Sequence, residues 1–359
     1  VLGGSNITAY SPGYEFLFCV YGRLVMRDSF LSRCYKLYLR TAEGVELYNT
    51  TISGNQYGIY CCESSGISIT DCTISSNPIG IKCEYSSGIS IVNCTISNNG
   101  WGIYCCESSD ISIIGCTIGD NVDRSIDCWA SSYVTIRDCS FVHDGVILRG
   151  YELVHFASHT IEDNTVNGKP LYYIVDTTSY TVPSDAGEVI VVNSSDITIR
   201  SINASWAGVG VEIAYSSDIS IIGCTISNNE YDGIYCFESS GISITGCAVI
   251  GHNYYGIYCV YSSGISIVNC TISNNWIGIT CYGLNIVIHY CNICSNYYGL
   301  YNYGEYVVNA TYCWWGSPDG PEYKAEGDPE DPEEVYSYYG PEYLISVSYT
   351  HLTLPTTER

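Results

Sequence analysis

Apolar and polar residues alternate along most of the chain in short runs that recur at a fixed interval. From Gly88 to Asn99, Ile89 and Ile91 alternate with Ser90 and Val92, then Cys94 and Ile96 with Thr95 and Ser97. Successive strand side chains point to opposite faces, so the Ile and Cys set is predicted inside and the Ser and Thr set mostly outside. The phrases GISITDCTISSN, GISIVNCTISNN and DISIIGCTIGDN start at Gly66, Gly88 and Asp110, 22 residues apart. DISIIGCTISNN, GISITGCAVIGH and GISIVNCTISNN start at Asp218, Gly241 and Gly264, 23 apart. A second strand signal, GIY, precedes many of them, at Gly58, Gly102, Gly233 and Gly256. A period of this length without a helical segment predicts stacked β coils.

Strands of about 4 residues bury too little alone to offset the entropy of ordering them. Stacking coils roughly 4.8 Å apart satisfies the backbone and lines like side chains into columns. The expected fold is therefore all-β, a parallel β-helix of about eleven coils and roughly 50 Å. Asn-Asn, Ser-Asn and Gly supply the corners. One solenoid is expected over residues 1–305, with long-looped coils at about 146–190. Residues 306–345 read as a C-terminal cap carrying WWGSPDGP, with Trp314 and Trp315 over the last coil. The final stretch, 346–359 (SVSYTHLTLPTTER), abandons the preceding composition and reads as a non-native tail; the start at Val1 reads as that of an excised piece.

Of the 21 cysteines, most are periodic. Cys72, Cys94, Cys116, Cys139, Cys224, Cys247, Cys270 and Cys291 occupy one repeat position, and Cys61, Cys83, Cys105, Cys128, Cys236, Cys259 and Cys281 another. Both share the parity of the inward Ile residues, which predicts two internal thiol columns, mainly reduced, serving as compact hydrophobes. Cys19, Cys34, Cys62, Cys106, Cys294 and Cys313 lie outside them and are the better disulfide candidates. A net charge of −24 excludes nucleic acid as a natural partner and disfavours an anionic membrane surface. With only 14% charged residues but 36 Tyr, the surface is rich in hydroxyls. Sequons at Asn6, Asn49, Asn93, Asn193, Asn203, Asn269 and Asn309 are compatible with an exported protein, extracellular or at the cell surface, with no membrane insertion.

The phrase GIYCxxSSGISIxNCTISNN resembles the right-handed, single-stranded parallel β-helix repeat of the carbohydrate-binding and sugar-hydrolase and NosD-type families. The middle segment NTVNGKPLYYI…VPSDAGEVIVVNSSDITI and the stretch from Cys313 to Pro321 are similar to segments of exported prokaryotic members. The resemblance implies a right-handed β-helix and a surface role. Its members include polysaccharide-active enzymes, copper-handling periplasmic proteins and surface proteins. The corner Asn usual in the family is mostly Cys here.

Candidate chemistry falls into three groups, and no cofactor is expected. An inverting hydrolase needs two carboxylates across a groove, and a lyase an acidic cluster with a basic residue. The nearest set is Asp120, Asp123, Arg124 and Asp127, with Arg137 and Asp138 one coil on; its bland reading is a solvated corner. Outward Tyr60, Tyr104, Tyr235 and Tyr258 share one position, and Glu63, Glu107 and Glu238 another with Tyr85 and Tyr261. Aromatic faces beside acceptors suit sugar rings, whereas stacked Tyr also serves simply to stabilise a sheet. His155 and His159 are an incomplete metal pair. The leading expectation is a non-catalytic surface protein presenting a Tyr-rich face to a polysaccharide, a glycoprotein surface or another copy of itself. A polysaccharide lyase, hydrolase or epimerase and a periplasmic metal-handling accessory are the alternatives.

Overall fold

A computed structural model describes residues 2–8, 16–251, 253–304 and 306–316, with short strands at 322–324, 334–337 and 344–345. Each repeat forms one coil of three strands. The GISI run lies in a first sheet (Ser65–Thr70, Ser87–Val92, Ser109–Ile114), with Ile67, Ile89 and Ile111 in parallel register. The TIS run forms a short second sheet (Thr73–Ser75, Thr95–Ser97, Thr117–Gly119). The GIYC run forms a third (Tyr57–Cys62, Ile79–Glu84, Trp101–Cys106, Arg124–Trp129). Ile59, Ile81, Ile103 and Ile126 stack fully buried, as do Ile52, Ile74, Ile96 and Ile118. Truncating any one to Ala would cost about 2–5 kcal/mol.

The solenoid has about 14 turns rather than the eleven expected, because turns also form where the phrase is lost. Val308–Thr311 pairs in parallel with Ile277–His289, and Glu334–Ser337 with Tyr298–Asn302. Trp314 bridges Asn292, and Trp315 is buried. Ser317 to Pro321 of that motif fall outside the described residues. The chain divides into two compact units, residues 1–173 with 206–208, and 174–205 with 209–359. In the first, the long-looped region holds a strand, Val146–Arg149, and one short helix, Val154–Ala157. In the second, Tyr255–Val268 and Ile277–His289 run unbroken from third sheet to first.

Three corners carry three internal ladders with one geometry. Between the second and third sheets, the Oδ1 atoms of Asn77, Asn99 and Asn121 accept from the backbone N–H of the Asn one coil earlier, at 2.9–3.1 Å. Between the third and first, Ser86 and Ser108 do the same through Oγ. Between the first and second, the thiols substitute: Cys94 Sγ donates to Val92 O at 3.3 Å, and Cys247 Sγ accepts from Cys224 N at 3.4 Å. Each ladder pairs buried backbone that would otherwise be costly. The corner Asn is thus retained at one corner, and Cys occupies a different one.

The periodic cysteines are buried, with Cys61, Cys83, Cys105 and Cys128 in register. Burial pushes thiols such as Cys281 well above their usual range. No disulfide joins any of the 21 cysteines, the six candidates included. Cys313 continues the first thiol position, donating to Ile288 O and Thr311 O, and Cys34 heads the Asn ladder, its N–H bonded to Asn55 Oδ1. The Gly of GIY is dictated by space: a Cβ on Gly80 would stand 2.6 Å from Gly102 O, and one on Gly256 2.5 Å from Gly278 O.

Candidate functional site

Once the inward columns are filled by Ile and Cys, the third sheet's outward positions form a grid. In the first unit one column runs Lys36, Tyr57, Ile79, Trp101, Arg124. The next runs Tyr38, Tyr60, Lys82, Tyr104, Asp127, and the last Arg40, Cys62, Glu84, Cys106, Trp129, Arg149. Five of the chain's 13 Lys and Arg residues gather here, on a protein of net charge −24.

Cations and rings interleave. Lys36 Nζ lies 4.1 Å from the Tyr38 ring and 4.5 Å from that of Tyr60. Lys82 Nζ stands between Tyr60 and Tyr104, at 4.8 and 5.8 Å. Arg124 covers Trp101 at 4.5 Å, and Arg149 covers Trp129 at 5.0 Å. Glu84 accepts from the Tyr60 hydroxyl and from Lys82 Nζ, the latter at 2.9 Å. Burial raises the Glu84 carboxyl, but those two donors outweigh it and hold it below its ordinary range. Burial pushes the Tyr38 phenol up to about 12, and the Tyr60 and Tyr104 phenols higher still. These hydroxyls stay protonated at neutral pH and act as hydrogen-bond donors, not bases.

The acidic patch does not assemble. Asp127 lies on the third sheet, fully buried, and accepts from Arg124 Nη1 at 2.7 Å and Arg149 Nε at 3.1 Å. Asp120, at the corner before it, is exposed and meets His143 Nδ1 at 2.9 Å. Asp123 is exposed on the same corner. Arg137 ends a first-sheet strand and pairs with Glu162 at 2.6 Å, and Asp138 occupies the next corner with φ 55°. Asp127 is thus taken up by two guanidinium groups, while Asp120 and Asp123 share an exposed corner and Arg137 and Asp138 lie at the end of a first-sheet strand.

Glu63, Glu107 and Glu238 occupy one exposed corner column in left-handed conformation, φ 46–51°, with Tyr85 and Tyr261. Glu107 and Tyr85 line a cleft of about 430 Å³ with Tyr151, where Tyr85 Oη donates to Glu107 Oε1 at 3.4 Å. His159 cannot ligate a metal: its Nδ1 accepts from Val134 N at 3.2 Å and its Nε2 donates to His155 O at 2.9 Å. His155 Nδ1 accepts from Tyr151 and Glu152 N–H groups. Among the described residues no group of three or more His, Cys, Asp or Glu is placed to hold a metal ion, and no helix is long and apolar enough to cross a membrane.

In the second unit the corresponding column runs Glu212, Tyr235, Tyr258, Thr280, Tyr301. Tyr235 packs between Tyr258, at 5.6 Å, and Phe237, at 6.2 Å, and is buried rather than presented outward. Tyr60 and Tyr104 likewise are not neighbours, since Lys82 stands between them. Alternation located these tyrosines, and Arg124 was singled out only with the acidic set, but Lys36, Arg40, Lys82 and Arg149 were missed. They occupy only one coil each, so no repeat phrase advertises them.

The right-handed β-helix model matches residues 35–186 and 178–312. The chain belongs to the right-handed β-helix family. No curated protein sequence matches it. Similar solved structures include the periplasmic alginate epimerase AlgG (13% identity, TM-score 0.29, covering 80% of this chain and 74% of that one). The Azotobacter vinelandii mannuronan C-5 epimerase AlgE6 A-module is 12% identical, with TM-score 0.34 and coverage of 90% and 91%. The catalytic domain of a GH87 α-1,3-glucanase in complex with tetrasaccharides is 12% identical, with TM-score 0.31 and coverage of 93% and 70%. At these identities the likeness is one of fold.

Proposed function

We propose that the first unit's third-sheet face binds an extended acidic glycan, and that the protein is an exported, non-catalytic surface β-helix. The observation that carries this reading is Lys82 held between Tyr60 and Tyr104. Rings offer stacking area, protonated phenols donate, and the ammonium meets a sugar carboxylate. Five cations stand on this face against two carboxylates, Glu84 and Asp127, with Glu63 and Glu107 at the rim. That balance favours an anionic chain, and it disfavours a two-fold contact between copies, which would set the same cations face to face. Weak contacts repeated from coil to coil would add into useful avidity along a polymer. Burial of Asp127 beneath Arg124 and Arg149, away from the exposed Asp120 and Asp123, supports binding over hydrolysis.

Retention in native gels cast with a soluble polyuronate tests the reading. Wild-type protein should be retarded, and less so as salt rises. Lys82→Ala combined with Tyr104→Ser should weaken retention about tenfold, roughly 1.4 kcal/mol. Asp123→Asn should leave it unchanged. Equal mobility of the wild type with and without the polymer would end the proposal.

A further inference from the structure

The outward side of the first unit's third sheet carries a doubled period. YGIYCCESSGIS begins at Tyr57 and WGIYCCESSDIS at Trp101, 44 residues apart, with IGIKCEYSSGIS between them from Ile79. Inward residues recur on every coil because every coil fills the same interior, whereas these outward ones recur on every second coil. Strands Tyr57–Cys62 and Trp101–Cys106 each present two rings and no charged group; Tyr57 and Tyr60 stack at 5.6 Å, and Trp101 and Tyr104 meet edge to face at 5.0 Å. The strands around them, Cys34–Arg40, Ile79–Glu84 and Arg124–Trp129, bring Lys36, Lys82 and Arg124. The corner after each ring strand adds a carboxylate, Glu63 or Glu107, where the coil between them has Tyr85.

At the centre of this pattern one ring lies between two ammonium groups. Lys36 Nζ, from the coil before, is 4.5 Å from the Tyr60 ring, and Lys82 Nζ, from the coil after, is 4.8 Å from it. Among the described residues Lys36 makes no hydrogen bond or ion pair, and Lys82 bonds to Glu84 alone, so both keep donors for a ligand. Arg124, largely covered and bound to Asp127, ends the series. Two coils advance roughly 9.6 Å, about the length of one disaccharide in an extended, equatorially linked glycan. Carboxylates on every second sugar would meet Lys36 and Lys82 in turn, and the sugar between would lay its C–H face on Tyr60. A carboxylate on that middle sugar as well would face the negative side of the ring, on the coil that carries Glu63 and has no cation to answer it.

We infer that this face selects a glycan in which an acidic sugar alternates with a neutral one. The inference rests on the acidic-glycan reading of the same face and adds a charge spacing to it. Lys36 and Lys82 take the acidic sugars, and Tyr60 takes the neutral one.

The test uses the whole chain and two fluorescein-labelled octasaccharides, read by anisotropy. One is hyaluronan, in which glucuronate alternates with N-acetylglucosamine; the other is β-1,4-linked polyglucuronate. Wild-type protein should bind the hyaluronan octamer at least fivefold more tightly, although it carries half the charge. Lys36→Ala should weaken hyaluronan binding at least tenfold. Lys36→Arg, which keeps the charge, should stay within about threefold of wild type, guarding against a fold defect. Tyr60→Lys adds a cation to the ring coil, in a column where Lys82 already stands one coil on, and should reverse the preference. Equal or tighter binding of polyglucuronate by the wild type would overturn the inference and leave the acidic-glycan reading standing. So would hyaluronan binding that Lys36→Ala does not weaken, or a preference that Tyr60→Lys does not move. Failure of both octamers to bind at millimolar concentration would end that reading and this inference together.

Discussion

Both units wind the same phrase into the same coil, yet their third-sheet faces reach opposite states. In the first unit Lys36, Lys82, Arg124 and Arg149 are threaded among half-exposed Tyr and Trp rings, which also meet one another, Tyr38 and Tyr60 at 5.1 Å and Trp101 and Tyr104 at 5.0 Å. In the second unit Tyr235, Phe237, Tyr255 and Tyr258 pack directly, with Tyr255 and Tyr258 at 4.4 Å, and the face closes on itself. Burial pushes the Tyr255 and Tyr258 phenols up, and the neighbouring rings and Asp232 push further. One residue per coil decides between the outcomes. A cation at the central position separates the rings one coil to either side, as Lys82 does Tyr60 and Tyr104, whereas successive rings there meet, as Tyr235 and Tyr258 do at 5.6 Å. A shared repeat therefore fixes the scaffold and leaves the surface chemistry free to diverge.

The sharpest way to break that contrast is at Asp127. Its carboxylate is fully buried beneath two guanidinium groups that are themselves largely covered, at 18% and 14% exposure. Asp127→Ala takes from both a carboxylate they share, and removing one partner of a buried ion pair costs about 3–5 kcal/mol. The first unit should then unfold at lower denaturant, while the second keeps its protection in amide exchange. Uniform loss across both units, or none, would mean the charged network does not hold up the first face.

Acid should separate the units next. His159 lies within the first unit, and burial lowers its imidazole from 6.5 to about 4, against a smaller opposing pull from its bond to His155 O. A depressed base binds its proton in the unfolded chain first, so the unfolded state holds more protons between about pH 6.5 and 4. Stability of the first unit is full above that window and falls through it as pH drops, by on the order of 3 kcal/mol. Chemical denaturation at pH 7 and pH 4.5 should show this loss in wild type and a smaller one in His159→Gln. An equal loss in both would place the acid sensitivity elsewhere.

What alternation could reveal was the part set by burial. Ile67, Ile89 and Ile111 repeat because every coil must fill the same interior, and Cys72, Cys94 and Cys116 recur for the same reason. The winding past residue 305 was hidden, since Val308–Thr311 forms a strand without the phrase. The site was less legible because outward positions obey no interior constraint. Lys82 appears once, and its meaning comes from Tyr60 and Tyr104 one coil to either side, 22 residues away in sequence. Linear proximity misled in the opposite direction at Asp120, Asp123 and Asp127. A turn of the backbone sends the first two to a corner and the third under Arg149.

The smallest expected effect concerns a feature the two units share. Most corner thiols share their proton between the carbonyl two residues before and one on the preceding coil, as Cys94 does with Val92 O at 3.3 Å and Ile69 O at 3.5 Å. Cys247 repeats the pattern with Thr245 O and Ile221 O. The Ser ladder shows that a hydroxyl performs the same task at another corner, where Ser86 Oγ donates to Glu84 O at 2.9 Å. Asn164 shows that an amide serves at the thiol position itself, accepting from Cys139 N at 3.0 Å. A buried hydroxyl that keeps its hydrogen bonds is nearly neutral, so Cys94→Ser and Cys247→Ser should each cost no more than about 1 kcal/mol. Denaturation midpoints of the two variants should shift alike, in contrast to the one-sided effects of Asp127 and His159. A collapse of the first unit with Cys94→Ser beside a silent Cys247→Ser would show that the thiols differ between units and do more than close a corner.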